Sequence, residues 1–432
     1  RDLVSEQDVV TEQGLVTDEG LVTDEDFLAG QGFAGELDQA PGTVAVSGTD
    51  MAAGTPAAGP DRDRACHEML LRLAGRAPDG LMTRARDWLA HAELRHLARA
   101  VAYWAVSHDV VLTEADAALL ATILTEAGAD PAGLGQLTLE DFDPYPFHGF
   151  APQIPVDLRG DTEGTPAPAG QPDEADQAAV QVVAAEPGAA GLWRAWRFPD
   201  DGAPWPPPKR VYVVEGAALD EPGLAARTAE RLVAAGEADP QVEVYRTGFE
   251  VPVYQELARS YGELLWAAVP DPGVQLAAIF DEVDAEAGPS FSPDHAALDE
   301  SEAEQVVQYL YGAEPLLVTP GLMDDVLDRT QVYSVPMSFR TDGLWVWNEA
   351  SAYYADQYQL APHPELLAHL RSNGYSPPAV DGVAVYRALQ VLQDSAGDEV
   401  AWMFGSELDE PEAELETDLE TDLETDLDSD DE

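Results

Sequence analysis

The spacing of apolar side chains divides the chain into stretches of different character. Between residues 61 and 143 it is helical. Met69, Leu70 and Leu73 open one helix that Pro78 breaks, and Leu81, Ala85, Trp88 and Leu89 continue a second. Leu94, Leu97, Val101, Trp104, Ala105 and His108 keep the i, i+3, i+4, i+7 recurrence of one buried face. Thr113, with Asp116 three residues on, reads as a capping-box variant opening a further helix through Leu119, Leu120, Ile123 and Leu124, which Gly128 closes. Asp130-Pro131 starts a short piece carrying Leu134 and Leu137. From about residue 191 the period changes. Short apolar runs, Val211–Val214, Val242–Tyr245, Val274–Phe280 and Pro315–Thr319, read as strands. Between them lie helical patterns over Leu224–Val233, Tyr254–Trp266 and Glu302–Tyr311, and two more helices follow over Pro364–Ser372 and Gly382–Gln393. Strand and helix in alternation predict a mixed sheet with helices on its faces.

The expected fold class is therefore an α/β (or α+β) domain with a mixed sheet at 191–400, preceded by a small all-α helical domain at 61–150. Residues 151–190, with Pro152, Pro155, Pro166, Pro168, Pro172 and Pro187 among small and acidic residues, read as a linker. Both ends repeat. Residues 1–60 open on four six-residue units of an apolar pair, a hydroxyl and acids (Leu15-Val-Thr-Asp-Glu-Gly20 is one) and continue into a Gly/Ala/Pro-rich run. Residues 401–432 place Leu415, Leu419, Leu423 and Leu427 at every fourth position among acids. On a helix these leucines form one drifting stripe, but Thr and Asp are poor helix formers and like charges at i, i+4 repel. Both ends are expected to be disordered acidic tails; the C-terminal one reads either as a solubilising charged tail or as one whose leucines contact a partner that folds the stripe.

Charge sharpens this picture. The 432 residues carry 82 acids against 22 bases, a formal net charge of −60. Such a balance argues against direct nucleic-acid binding, because phosphates must be met by basic groups; a codon bias towards G and C, adaptation to a salt-rich cytoplasm, or a basic protein partner would each account for it. Lys209 is the sole lysine. No run of eighteen apolar residues predicts membrane insertion, and residues 1–6 show neither a basic nor an apolar leader region. A single cysteine, Cys66, excludes an internal disulfide framework and a paired-CxxC zinc site.

The most specific local signal is Val335–Asn348. Asp342-Gly343 between two apolar runs predicts a two-residue hairpin turn. That register pairs Arg340 with Trp345 and Ser338 with Trp347, and puts Arg340, Trp345 and Trp347 on one face and Phe339, Leu344 and Val346 on the other. Exposed, the first face would be a recognition platform with a cation–π pair; covered, it would be core under the following helix of Tyr353, Tyr354 and Tyr358, which Asn348 caps. Arg340, Trp345 and Trp347, with Leu415, Leu419, Leu423 and Leu427, are the candidate partner-binding residues.

Catalytic signals are poor. Carboxylates recur at Asp324, Asp325 and Asp328, at Asp281, Glu282 and Asp284, and at Glu215 on a strand end, but in so acidic a chain pairs arise by chance. Phosphate-loop, dinucleotide, nucleophile-elbow and deaminase motifs are absent. Cys66, His67 and Glu68 are adjacent and so do not face one another on a helix. Asp87, His91 and His96 lack a closed ligand set. No metal and no cofactor is expected.

Lys209 to Arg371 resembles a group of uncharacterised proteins of high-GC Gram-positive (actinobacterial) bacteria. The resemblance lies in Val244–Gly248, Pro293–His295, Leu316–Thr319, Ser338–Gly343 with Trp345–Trp347, Leu360–Pro362 and Glu365–Leu367. It implies a bacterial, intracellular origin and carries over no activity and no site residue. The first expectation is thus a non-enzymatic cytoplasmic binding or assembly protein whose acidic tails engage a basic partner. The second is an immunity- or inhibitor-like protein that neutralises a basic toxin or nuclease. The third is an enzyme acting on a nucleotide or small molecule at the carboxyl ends of the α/β strands.

Overall fold

A computed structural model describes residues 59–140, 147–155, 158, 172–200, 203, 205–284 and 287–395. The hexapeptide and Leu-Glu-Thr-Asp repeats, and with them Leu415, Leu419, Leu423 and Leu427, lie outside the described residues. The helical stretch forms as its periodicity dictates: α1 (Gly59–Leu73), α2 (Asp79–Ala90), α3 (Leu94–Ser107) and α4 (Glu114–Glu126), then a 3-10 turn at Ala132–Gln136. Pro78 precedes α2, and Gly128 after α4 takes φ +72°. Thr113 caps α4 by accepting the Asp116 amide at 3.1 Å. The Asp116 carboxylate turns to Arg72 on α1, at 2.6 and 3.0 Å.

A five-stranded sheet follows. It contains β1 (His148–Ala151), β2 (Ala189–Pro199), β3 (Lys209–Gly216), β4 (Gln241–Arg246) and β5 (Glu263–Ala267). β2 runs antiparallel to β3 and borders β1 with one half of its other edge and β5 with the other half. β3 and β4 are parallel, joined over one face by α6 (Glu221–Ala234). Alternation sorts the core. Leu192, Tyr212, Val214, Val242 and Val244 pack under α5 (Glu174–Val183) and α6. Trp193, Ala195, Val211, Val213 and Tyr245 pack with α1–α4 and with α7 (Val253–Ser260). The helical stretch therefore shares one core with the sheet and forms its second face.

The remainder builds a four-stranded sheet in the order β6 (Gln275–Leu276), β13 (Trp345–Asn348), β12 (Phe339–Thr341), β9 (Glu314–Leu317). Two small hairpins accompany it: β7 (Glu282–Asp284) with β8 (Gly288–Ser290), and β10 (Leu322–Met323) with β11 (Val335–Pro336). α8 (Glu300–Gly312), α9 (Ala350–Tyr358) and α10 (Pro364–Ser372) cover one face. α11 (Gly382–Ser395) covers the other through Ala388 and Leu392, while its Val383 joins the core of the first sheet. An α/β fold with mixed sheets after an N-terminal helical segment is the architecture.

Three local expectations are corrected. The segment read as a linker contains α5, whose Asp173–Asp176 capping box starts a helix that the sheet then buries. The helix expected over Tyr254–Trp266 ends at Ser260, and Glu263–Ala267 is β5. Gly262 permits the break, since a Cβ there would lie 2.6 Å from the Ala258 oxygen and 3.0 Å from that of Arg194. The strand expected over Val274–Phe280 shrinks to Gln275–Leu276.

Candidate functional site

In open α/β sheets the crevice beyond the carboxyl ends of the parallel strands is where ligands bind. Here those ends are Glu215-Gly216 of β3 and Tyr245-Arg246 of β4, and the chain fills the crevice itself. Glu215 is buried. It accepts hydrogen bonds from the Gly382 amide at 3.1 Å to each oxygen, from Arg259 Nη1 at 3.4 Å and from the Tyr245 hydroxyl at 3.5 Å. The N-terminus of α11 is thus seated on a buried carboxylate, which its exposed amides and dipole favour. Burial, and then the neighbouring Glu215, raise the Tyr245 hydroxyl far above its ordinary range. Beside it, Arg246 pairs with Glu221. The turn after β3 is no phosphate cradle: a Cβ on Gly216 would lie 2.3 Å from the Gly188 oxygen, and the Ala217 amide is spent on that oxygen at 2.8 Å.

The hairpin differs in register from the expectation. Arg340 pairs with Trp347, Thr341 with Val346 and Phe339 with Asn348, and the Asp342 amide donates to the Trp345 oxygen at 3.3 Å, so Gly343-Leu344 turn the chain. The Asp342 side chain decides this. Its Oδ1 accepts the amides of Leu344 and Trp345, at 3.0 and 2.9 Å, which moves the turn one residue beyond the Asp-Gly dipeptide. Arg340, Trp345 and Trp347 do share a face, but that face is core: Trp345 is 7 % exposed and Trp347 0 %. Trp347 Nε1 donates to the Leu310 oxygen at 3.2 Å, and Arg340 is held by Glu349 Oε1 at 2.6 Å and the Ala313 oxygen at 2.8 Å. The reading of these three as an accessible platform is corrected, because α8, α9 and α10 cover them. Asn348 does stabilise the start of α9, accepting the Ala350 amide at 2.8 Å.

Sequence reasoning missed what surrounds Asp342. Its Oδ2 accepts the Tyr309 hydroxyl at 2.7 Å and meets His369 Nε2 at 2.7 Å, and Asn373 Nδ2 donates to Tyr309 at 3.1 Å. A carboxylate aiming an imidazole is the geometry of a general base. The nearest hydroxyl on that helix, Ser372, donates instead to the His369 oxygen at 2.8 Å. The cluster ties α8, the hairpin turn and α10 together; the only signal for it in the sequence was Asp342 itself.

The remaining constellations are structural. Asp325 is buried, with Oδ1 on the amides of Leu327 and Asp328 and Oδ2 on the hydroxyls of Tyr353 and Tyr358. Asp281 meets His295 Nδ1 at 2.8 Å and the Ser292 amide at 2.7 Å, which hold its carboxyl below the usual range against the effect of burial. Asp87–His91 and Glu93–His96 are separate surface pairs, at 3.3 and 3.2 Å. Among the described residues no three His, Cys, Asp or Glu side chains are placed to hold a metal ion. His67 Nε2 lies 2.7 Å from the Val244 oxygen, and burial lowers its pKa to about 4.

Cys66 is fully buried, and burial pushes its thiol up to about 12. Since the thiolate is the nucleophile, a disulfide reagent at pH 8 is expected to label the folded protein at least about a thousandfold more slowly than the urea-unfolded chain. Equal rates would show that Cys66 is not enclosed.

Some bases are met by carboxylates in the interior, while others, Arg64, Arg84, Arg95 and Arg99 among them, face water. Arg86, Arg194, Arg197 and Arg210 are buried. They pair with Glu243 at 2.5 Å, Asp176 at 2.6 Å, Asp79 at 2.8 Å and Asp173 at 2.7 Å respectively. Arg210 also stacks on Trp196, 4.7 Å from the ring centroid. Lys209 donates to the Ala238 oxygen. Asp87, Glu114, Glu230, Asp271, Glu304 and Glu365 are among the many acids left facing water. A groove of about 320 Å³ between α5 and α6, lined by Glu174, Gln177, Gln181 and Arg231 with Ala178, Ala234 and Ala235 as its apolar part, is open and mainly polar, without the large apolar side chains of a ligand pocket. Among the described residues no helix is long and apolar enough to cross a membrane. Comparison of the chain with protein-family models, curated proteins and solved structures gives no match.

Proposed function

We propose that this chain is a non-enzymatic, cytoplasmic binding or assembly protein that engages a basic protein partner through its anionic surface and acid-rich ends. One observation carries the reading: the chain holds 82 acids against 22 bases, and acids such as Asp87, Glu114, Glu230, Asp271, Glu304 and Glu365 face water. A field of one sign steers a cationic partner and repels copies of itself and nucleic acid. The enzyme reading loses its support where α11 occupies the strand-end crevice. The immunity or inhibitor reading draws on the same surface and differs only in the partner's identity.

The test is a salt titration of binding to a defined polycation, poly-L-arginine of fixed length, by the full chain and by a chain lacking residues 406–432. That deletion removes fifteen acids and no base. Affinity is expected to fall about tenfold or more between 50 and 200 mM salt, and to fall on deletion. Replacing Leu415, Leu419, Leu423 and Leu427 by Ser keeps every charge. If the leucines also anchor a natural partner, each loss costs about 1 kcal/mol of affinity for it. Binding indifferent to salt and to the deletion would overturn the reading.

A further inference from the structure

Of the seventeen large apolar side chains exposed among the described residues, six fall between 317 and 333: Leu317, Val318, Leu322, Leu327, Val332 and Tyr333, at 43–76 % exposure. Pairing brings them together. Leu317 lies opposite Phe339 and Leu322 opposite Pro336, three residues apart on one run of chain. The Ser334 amide bonds to the Met323 oxygen at 3.1 Å and the Tyr333 amide to Asp324 Oδ1 at 2.8 Å, which returns Val332 and Tyr333 to the same edge. Contiguous exposed apolar surface of this kind marks interaction sites.

The segment is held in place rather than loose. Asp325 accepts two amides of its own loop and anchors it to Tyr353 and Tyr358 on α9. Asp328 accepts the Thr330 amide and hydroxyl, at 3.1 and 2.6 Å, and the Gln331 amide donates to the Asp328 oxygen at 2.8 Å. Tyr333, largely exposed, sits at φ +50°, a conformation that residues bearing a Cβ seldom adopt. The carboxylates that resembled a catalytic cluster therefore preorganise a loop that displays apolar side chains, and preorganisation lowers the entropy lost on binding.

Charge selects the occupant. Glu314, Asp324 and Asp328 border the apolar side chains, against one base, Arg329. A second copy of a chain of net charge −60, or its own acidic ends, would bring like charge to this rim. β9 is the edge of its sheet, but Pro315 removes an amide there and Glu314 is exposed, both guards against strand addition. Recognition would thus run through side chains. Resting on the basic-partner reading above, we propose that this surface docks a segment of a basic partner protein whose apolar anchors are interspersed with lysine or arginine.

The test uses the full chain and three synthetic peptides of equal length, Lys/Leu, Lys/Ser and Glu/Leu, each patterned as an amphipathic helix, with binding read by fluorescence anisotropy. The variant is Val318→Ser/Val332→Ser/Tyr333→Asn. It changes only exposed side chains, and Asn tolerates the left-handed backbone at 333. An unchanged melting temperature confirms its fold. The Lys/Leu peptide is expected to bind the variant at least tenfold more weakly than the parent, while the weaker, salt-sensitive binding of Lys/Ser stays the same for both. A smaller loss for Lys/Leu, an equal loss for Lys/Ser, or equal parent affinity for Glu/Leu overturns the docking surface. So does sedimentation showing parent dimers that the variant lacks. If the surface fails while both lysine peptides still bind in a salt-sensitive way, the broader reading stands; if neither binds the parent, both fall.

Discussion

Replacing Glu243 by alanine is expected to destabilise the protein by about 3–5 kcal/mol, the cost of leaving a buried guanidinium without its partner. Glu243 lies fully buried on β4. Its Oε1 meets Arg86 Nη2 of α2 at 2.5 Å, and its Oε2 accepts Gln255 Nε2 of α7 at 2.9 Å. Gln255 in turn reaches the Leu71 oxygen of α1 at 2.9 Å, and Arg86 Nη1 reaches Gln241 Oε1 at 3.4 Å. Alanine strands the charge of Arg86 and an amide of Gln255 in a site that water does not enter. The double replacement Arg86→Met/Glu243→Leu removes both charges and should recover most of the loss, because a buried pair contributes little beyond an apolar pair of similar volume. Because Arg86 and Glu243 belong to the helical layer and the sheet, circular dichroism and tryptophan fluorescence should report one coincident unfolding transition in urea. A loss below about 1 kcal/mol, in the range of an exposed pair, or two separated transitions, would contradict the shared core.

Gly382→Ala is expected to destabilise by about 2–3 kcal/mol, opposite in sign to the usual effect of removing a helical glycine. An added Cβ would lie 2.0 Å from Glu215 Oε2 and 2.7 Å from Arg259 Nη1. Either α11 lifts from the crevice or the buried Glu215 carboxylate turns aside, and both break the amide bonds between them. Gly80→Ala on α2 is the control. There the nearest atom to an added Cβ is Asp239 Oδ1 at 3.5 Å, an ordinary contact, and a gain of about 0.5–1 kcal/mol is expected from backbone entropy. Melting curves decide both; a stabilised Gly382→Ala protein would show that α11 is not seated on Glu215.

Much of this architecture was legible along the chain. The helices from 59 to 126 follow their apolar spacing, and Pro78, Thr113 and Gly128 bound them for local steric and hydrogen-bonding reasons. The apolar run Val211–Val214 read as a strand and lies within β3. The hairpin and the common face of Arg340, Trp345 and Trp347 also followed from period two, and the excess of acid followed from counting.

Tertiary structure decided the rest. β2, the strand on which the first sheet is built, went unread because Gly191, Arg194 and Arg197 interrupt its apolar character. Arg194 is tolerable in the core because Asp176, eighteen residues earlier, and Glu263 receive it, and Arg197 because Asp79 does. Arg86 finds Glu243 across 157 residues of chain. The tryptophan face of the hairpin became core only when α8, α9 and α10 closed over it, and Asp342, hydrogen-bonded to its own loop amides, shifted the register. The strand-end crevice was filled by a helix more than 160 residues beyond Glu215. Periodicity records which residues share a face within one element, since that depends on neighbours a few positions away. Whether a face is covered, and whether a buried charge is met, depends on partners that only the folded chain brings within hydrogen-bond distance.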